Sequence, residues 1–151
     1  MHSSVSIWIG ASPERVFDLV SDLERWPEHL PHYRYVRVVQ RSGATTRARM
    51  GARRGPIPVD WEAVQTPNRA ERTIRFRHVG GVTRGMDVLW TLLPERDGSR
   101  EGTRAAITHD LDLHWPLVGR FLAERVIAPQ FIEPIAGATL RRFKALAEAV
   151  R

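Results

Sequence analysis

The chain has 151 residues, enough for one domain with its own core and too few for two. A hydrophobic content of 42% with 26% charged residues excludes a disordered chain, and the absence of cysteine excludes disulfides, thiolate metal sites and a cysteine nucleophile. The net charge of +6 comes from arginine, since Lys144 is the only lysine; these arginines are dispersed rather than blocked, which argues against nucleic acid. Two readings of the charge stay open: plain compositional bias, or attraction to an anionic partner such as an acidic carrier protein or a membrane surface. No apolar run reaches the length of a membrane span, and the opening MHSSVSIWIG lacks the order of a signal peptide. With no cysteine, this fits a reducing cytoplasm.

In chain order, SVSIWIG alternates with Val5, Ile7 and Ile9 on one face, and predicts a strand. Ser12 is a good N-cap and Pro13 a good first helical residue, so Val16, Phe17 and Val20 form the buried stripe of a short helix. Leu23 to Leu30 adds another helical turn before Pro31. From Tyr33 onward the period is two. Strands are expected at Tyr35 to Gln40, at Thr45 to Ala52, around Val59, Trp61 and Ala63, and around Ile74, Phe76 and His78. Two more follow, one through Met86, Val88, Trp90 and Leu92, and one through Ala105, Ile107, His109, Leu111 and Leu113. Turns are expected at Ser42-Gly43, RRGP, TPN and Gly80-Gly81, with a polar loop over ERDGSREG. Ile132, Ile135, Ala136, Thr139, Phe143, Leu146 and Val150 then recur at helical spacing, with Pro129 and Pro134 breaking or kinking the start.

Strands joined by short turns make an antiparallel meander, which presents one face to water. Arg47, Arg49, Arg75 and Arg77 suit that face. The only large amphipathic element left to cover the other face is the C-terminal helix. One helix cannot fill the concavity of a curved seven-stranded sheet, so a gap between sheet and helix is expected.

His78 and His109 sit by alternation on the apolar faces of two strands that flank the one bearing Trp90, so both imidazoles can face one space. They read either as core histidines with satisfied hydrogen bonds or as titratable groups in an apolar cavity, able to hold a carbonyl or phenol or to move a proton. Trp26, Tyr33, Trp61 and Trp90 read either as core packing or as cavity wall. His29 and His32 have an H-x-x-H spacing, but Pro31 disrupts its presentation; Asp110, Asp112 and His114 share the strand face assigned to solvent. Neither set is read as a metal site. H-E-x-x-H, G-x-S-x-G and phosphate-binding glycine loops are absent from the sequence.

The stretches VSIWIGASPERVFDLVSDLERWPEHLPHY and IEPIAGATLRRFKALAEAV, with this element order, resemble the START-like helix-grip (SRPBCC) superfamily, most closely its polyketide cyclase/dehydrase and coenzyme Q-binding branches. The resemblance spans nearly the whole chain and is more specific for fold than for ligand. It implies an α+β fold: a seven-stranded curved antiparallel sheet wrapped around a long C-terminal helix, two short helices after the first strand, and a deep cavity beneath the long helix. It also implies that Trp26 and Tyr33 line that cavity, with Trp61 and Trp90 from the middle strands. The aromatic cyclases carry a pocket arginine on the strand that here holds Trp61, and the corresponding position is Gln65, a departure from their pattern.

The resulting expectation is a binder of a hydrophobic or aromatic small molecule (polyketide, quinone or lipid), acting as a polyketide cyclase/dehydrase. His78, His109, Tyr33 and Gln65 are its candidate polar groups. Trp26, His29, Met50, Trp61, Phe76, Met86, Trp90, Ile135 and Thr139 are its candidate ligand contacts. No metal or organic cofactor is required for that chemistry. A non-catalytic lipid or quinone carrier and a protein-interaction module of the same superfamily are the alternatives.

Overall fold

The structure is a computed structural model and describes residues 1–81, 83–111 and 131–149. Strand β1 (His2–Ile9) leads into helix α1 (Pro13–Ser21), a 3₁₀ turn (Leu23–Arg25) and the four-residue helix α2 (Trp26–His29). Six strands follow: β2 (Tyr33–Ser42), β3 (Thr45–Arg54), β4 (Ile57–Asn68), β5 (Thr73–Gly81), β6 (Asp87–Asp97) and β7 (Arg100–Asp110). Helix α3 (Glu133–Ala149) ends the described chain. The seven strands form one antiparallel sheet in the order β1-β7-β6-β5-β4-β3-β2, wrapped around α3. The helix-grip expectation therefore holds.

Local chemistry accounts for the elements. Ser12 Oγ accepts the Arg15 amide at 3.2 Å and Pro13 opens α1, so the N-cap reading is correct. Arg15 Nε donates to the Ala147 carbonyl at 3.1 Å, which ties α1 to the end of α3. Lys144 Nζ donates to the Trp8 carbonyl and to Glu148 Oε2, and the same carboxylate oxygen accepts the Gly10 amide at 2.7 Å. The C-terminal half of α3 is thus fastened to β1 and α1.

Three expected connections are different. Gly80 and Gly81 are not a turn: both lie in β5, paired with Glu62 and Trp61. Val79 is an extra residue there, and Gly81 takes φ +92° with the Asp60 carbonyl so close that a Cβ would sit 2.7 Å from it. The chain reverses instead at Thr83–Gly85, where the Met86 amide bonds the Thr83 carbonyl. TPN is the end of β4, with Pro67 opposite Ile74. Since β3 pairs no further than Gln65, one side of the strand is open there and Pro67's missing N–H is tolerated. The ERDGSREG loop is strand on both sides of a turn at Gly98-Ser99, because its charges pair across the hairpin as Arg96–Glu101 and Arg104–Glu95, each at 2.8 Å. The expectations for Asp112, Leu113, His114, Pro129 and Val150 lie outside the described residues.

The core divides along α3. Beneath its C-terminal half, Leu140 and Phe143 are buried in the same apolar cluster as Val16, Val20, Ile74 and Leu92. Trp26 is the junction: its indole lies against Phe143 (5.7 Å between centroids), Trp90 (6.2 Å), Phe76 (5.5 Å) and Tyr33 (5.2 Å), and its Nε1 donates to the Val20 carbonyl at 2.9 Å. Such ring pairs add about 0.5–1.5 kcal/mol each beyond their buried area. Phe143→Ala is expected to lower the unfolding free energy by about 3–5 kcal/mol, checked by urea denaturation. A loss below about 1 kcal/mol contradicts a solid core at this end.

Candidate functional site

Beneath the N-terminal half of α3 the packing opens. Ala136 and Thr139 face a cavity of about 480 Å³ that lies between the helix and the strands. Its apolar wall comes from Trp26 of α2, Met50 of β3, Trp61 of β4, Phe76 of β5, and Met86 and Trp90 on and just before β6. The helix contributes Ile135 and Thr139, and Tyr33 closes the α2 side. Each of these was a candidate from the sequence, and the fold brings them together around one space.

His78 and His109 face the same cavity. The bulge in β5 falls at Val79, one residue past His78, so it does not reverse the side chain. His78 is stacked on Trp61 with 5.7 Å between centroids and 8° between planes, and its Nδ1 shares a 2.7 Å hydrogen bond with Thr83 Oγ1. Burial, with a smaller contribution from the charge of His109, pushes its pKa down to about 3. Burial likewise brings His109 down to about 4, against the opposing pull of Asp110. The His109 Nδ1 is buried without a hydrogen-bond partner among the described residues. Both rings are therefore neutral at pH 7, each with one N–H donor and one acceptor nitrogen.

Tyr33 supplies the second polar corner. Its phenol is buried, which raises its pKa, while a hydrogen bond with Thr139 acts the other way. Thr139 Oγ1 also donates to the Ile135 carbonyl and bonds His32 Nε2, both at 2.8 Å. Trp61 stands between the two corners, 5.9 Å from Tyr33 and 5.7 Å from His78. The arrangement can hold a flat apolar body against Trp61 and Trp90 while offering neutral hydrogen-bonding groups at two places.

Two sequence candidates lie elsewhere. Gln65 is buried, but its Nε2 donates to the Ser21 carbonyl at 3.2 Å and holds the end of α1; it is absent from the cavity wall. His29 is also outside the wall: its carbonyl accepts from Arg142 Nε at 2.8 Å, and its Nε2 is buried without a partner among the described residues. His32 is occupied with Thr139, Asp110 pairs with His2 at 2.6 Å, and no group of three metal-ligating side chains occurs among the described residues. The sequence reading missed Thr83, because alternation cannot be carried through a turn. It also missed Ile57, Pro58 and Asp60, which reach the cavity from the β3–β4 hairpin.

Comparison with known proteins gives the same picture. The family described as "Polyketide cyclase / dehydrase and lipid transport" matches residues 9–135. A Streptomyces cyaneus protein named "Putative polyketide cyclase" is 30% identical over 113 residues, covering 72% of this chain and 71% of that protein. Among solved structures, a Thermus thermophilus protein superposes with a TM-score of 0.81 at 26% identity, over 99% of this chain and 98% of that one. The Zhui aromatase/cyclase of a Streptomyces species superposes with a TM-score of 0.82 at 19% identity, over 100% of this chain and 96% of that one, a likeness of fold. With its helix-grip sheet, its hydrophobic cavity and a family match over most of its length, this chain belongs to the polyketide cyclase/dehydrase and lipid transport family.

Proposed function

We propose that the protein binds an apolar, aromatic or poly-keto molecule between sheet and α3 and promotes an aldol-type cyclisation or dehydration of it. The observation that carries this reading is the pair His78 and His109, neutral and buried in a predominantly apolar cavity large enough for a small molecule. The aromatic wall would hold a poly-keto chain folded, so that the attacking carbon meets the right carbonyl. One imidazole would take the proton from the carbon between two carbonyls, and the other would donate to the carbonyl oxygen that becomes the hydroxyl. For dehydration the same pair would move a proton from carbon to the departing hydroxyl, releasing water. Tyr33, its phenol engaged by Thr139, would close the far end of the cavity with its ring. Gln65, committed to Ser21, has no part in this scheme.

A lipid or quinone carrier uses the same cavity without turnover. The predominance of apolar groups in the wall and the lipid-transport half of the family description favour it as the second reading. The first test is native mass spectrometry of the purified protein with organic extraction of any bound molecule. A poly-keto or aromatic mass, with turnover that falls at least about 100-fold in His78→Ala and His109→Ala while binding stays within a few-fold, supports the enzyme. A bound isoprenoid or acyl lipid, indifferent to either substitution, moves the assignment to the carrier. An empty protein that binds no apolar probe sinks both.

The histidines also predict a pH dependence. Their folded pKa values, about 3 and about 4, lie below the ordinary 6.5, so between these limits the unfolded chain binds more protons than the folded one. Their contribution to stability is complete above about pH 6.5 and is lost as the pH falls toward 3. The melting temperature should fall across that window, and His78→Phe should flatten part of the slope, read by thermal denaturation at a series of pH values.

A further inference from the structure

The β3–β4 hairpin runs past its neighbour β5. Partnering of β4 with β5 stops at Trp61↔Gly81, whereas its partnering with β3 continues to Ile57↔Arg54. From Ile57 to Asp60 the strand therefore has no partner on its β5 side among the described residues, while β3 keeps β2 beside it as far as Ala52 and the Arg53 amide donates to the His32 carbonyl, so the arm that projects beyond the sheet is the tip from Arg54 to Ile57. It closes at Gly55-Pro56, with Gly55 at φ +61° and nothing within 4 Å of the position of a Cβ, so the tip points into open space.

The tip has an unusual surface. Pro56, Ile57 and Pro58 are consecutive and exposed, with Ile57 at 49%. Opposite them in register are two cations, Arg54 across from Ile57 and Arg53 across from Pro58. Ile57 and Pro58 also line the cavity, so the arm forms part of its rim. The β5–β6 turn belongs to the same rim through Thr83 and Met86, and it carries the exposed Arg84. The nearby carboxylate Asp60 is already engaged by Arg34 at 2.9 Å and Tyr35 at 2.8 Å.

We propose that this arm is a reversible membrane anchor: Ile57 and its flanking prolines enter the interface of an anionic bilayer while Arg53 and Arg84 meet its headgroups, setting the cavity rim against the lipid. A basic patch alone suits an acidic protein equally well. The projecting apolar triplet between cations is what favours a bilayer, because an aliphatic side chain gains by leaving water for the acyl boundary while arginine stems reach back to the phosphates. The two signals together give transient rather than permanent attachment. Prolines on the open side of the arm also deny its edge to a second strand. The inference rests on the reading that the cavity binds an apolar ligand, which would enter or leave through lipid; it does not depend on whether the protein is a catalyst.

The test uses the full chain, whose lack of cysteine permits single-site labelling. Ile57→Cys and, as a distant control, Leu93→Cys on the exposed side of β6 are labelled with an environment-sensitive fluorophore and mixed with vesicles. The expected result is co-sedimentation with phosphatidylglycerol-containing vesicles and not with pure phosphatidylcholine, weakened by salt, with a blue shift at position 57 and none at 93. Arg53→Glu should lower partitioning on the order of tenfold, and the unlabelled Ile57→Ser should lower it as well. Absence of sedimentation with either vesicle, equal shifts at both positions, or capture by an acidic carrier protein without any vesicle binding would overturn the proposal. Displacement of an apolar fluorescent probe, measured without vesicles, separates the two ideas: probe binding with no vesicle binding sinks the anchor alone, and vesicle binding with no probe binding sinks the proposed function alone.

Discussion

The fold turns on the placement of one indole. Trp26 lies in a helix of only four residues, too short to persist by its own hydrogen bonds. It is fixed instead by contact with Tyr33, Phe76, Trp90 and Phe143 and by donation of its N–H to Val20. The ring joins helix, sheet and the first helical segment at one point. On the Phe143 side the interior is closed; on the Tyr33 side it opens into the cavity. Without the indole the two regions would run together, so the same residue completes the core and ends it.

The cavity carries a cost that the solid core does not. Two imidazoles have been taken out of water, and only one has a visible compensation, the Thr83 hydroxyl and the stacked face of Trp61. His109 leaves a buried nitrogen without a partner among the described residues, the kind of defect that folded proteins rarely keep for packing alone. Tyr33, by contrast, is satisfied through Thr139, which is itself held by the Ile135 carbonyl and His32. One polar corner is therefore internally complete, and the other is short of a hydrogen bond that a ligand can supply.

Much of this was legible in the sequence, and for a definite reason. An antiparallel sheet with one wet face writes its geometry as strict alternation, so Ile74, Phe76 and His78 could be placed on one side and Arg75 and Arg77 on the other without a structure. The fold followed from element order and the closing helix. The failures cluster where alternation stops. Gly80-Gly81 looked like a turn because glycine pairs usually are one, yet here glycine serves a bulge and the close approach of the Asp60 carbonyl. Displacing that turn hid Thr83. Gln65 was placed on the right strand, but only coordinates could reveal that its amide is occupied by the end of α1. The pairing of β1 with β7, which sets β1 at the sheet edge fastened to α3, has no signature in any local window.

The two halves of the long helix do different work. Its C-terminal half carries the large side chains and is fastened by Arg15, Lys144 and Glu148 to α1 and β1. Its N-terminal half carries Ile135 and Ala136 over the cavity, where a change of volume has empty space to grow into. Overpacking is costly only where atoms already touch. Stability and the shape of the cavity are thus written by different turns of one element. The strands divide in the same way: Ile74 and Leu92 are sealed beneath the anchored half of the helix, while His78, Met86 and Trp61 sit toward the open end. A sequence can therefore keep every residue that makes the grip while the groups facing the space differ, and that is why the family of this chain is plain while the chemistry of its cavity rests on the few groups that line it.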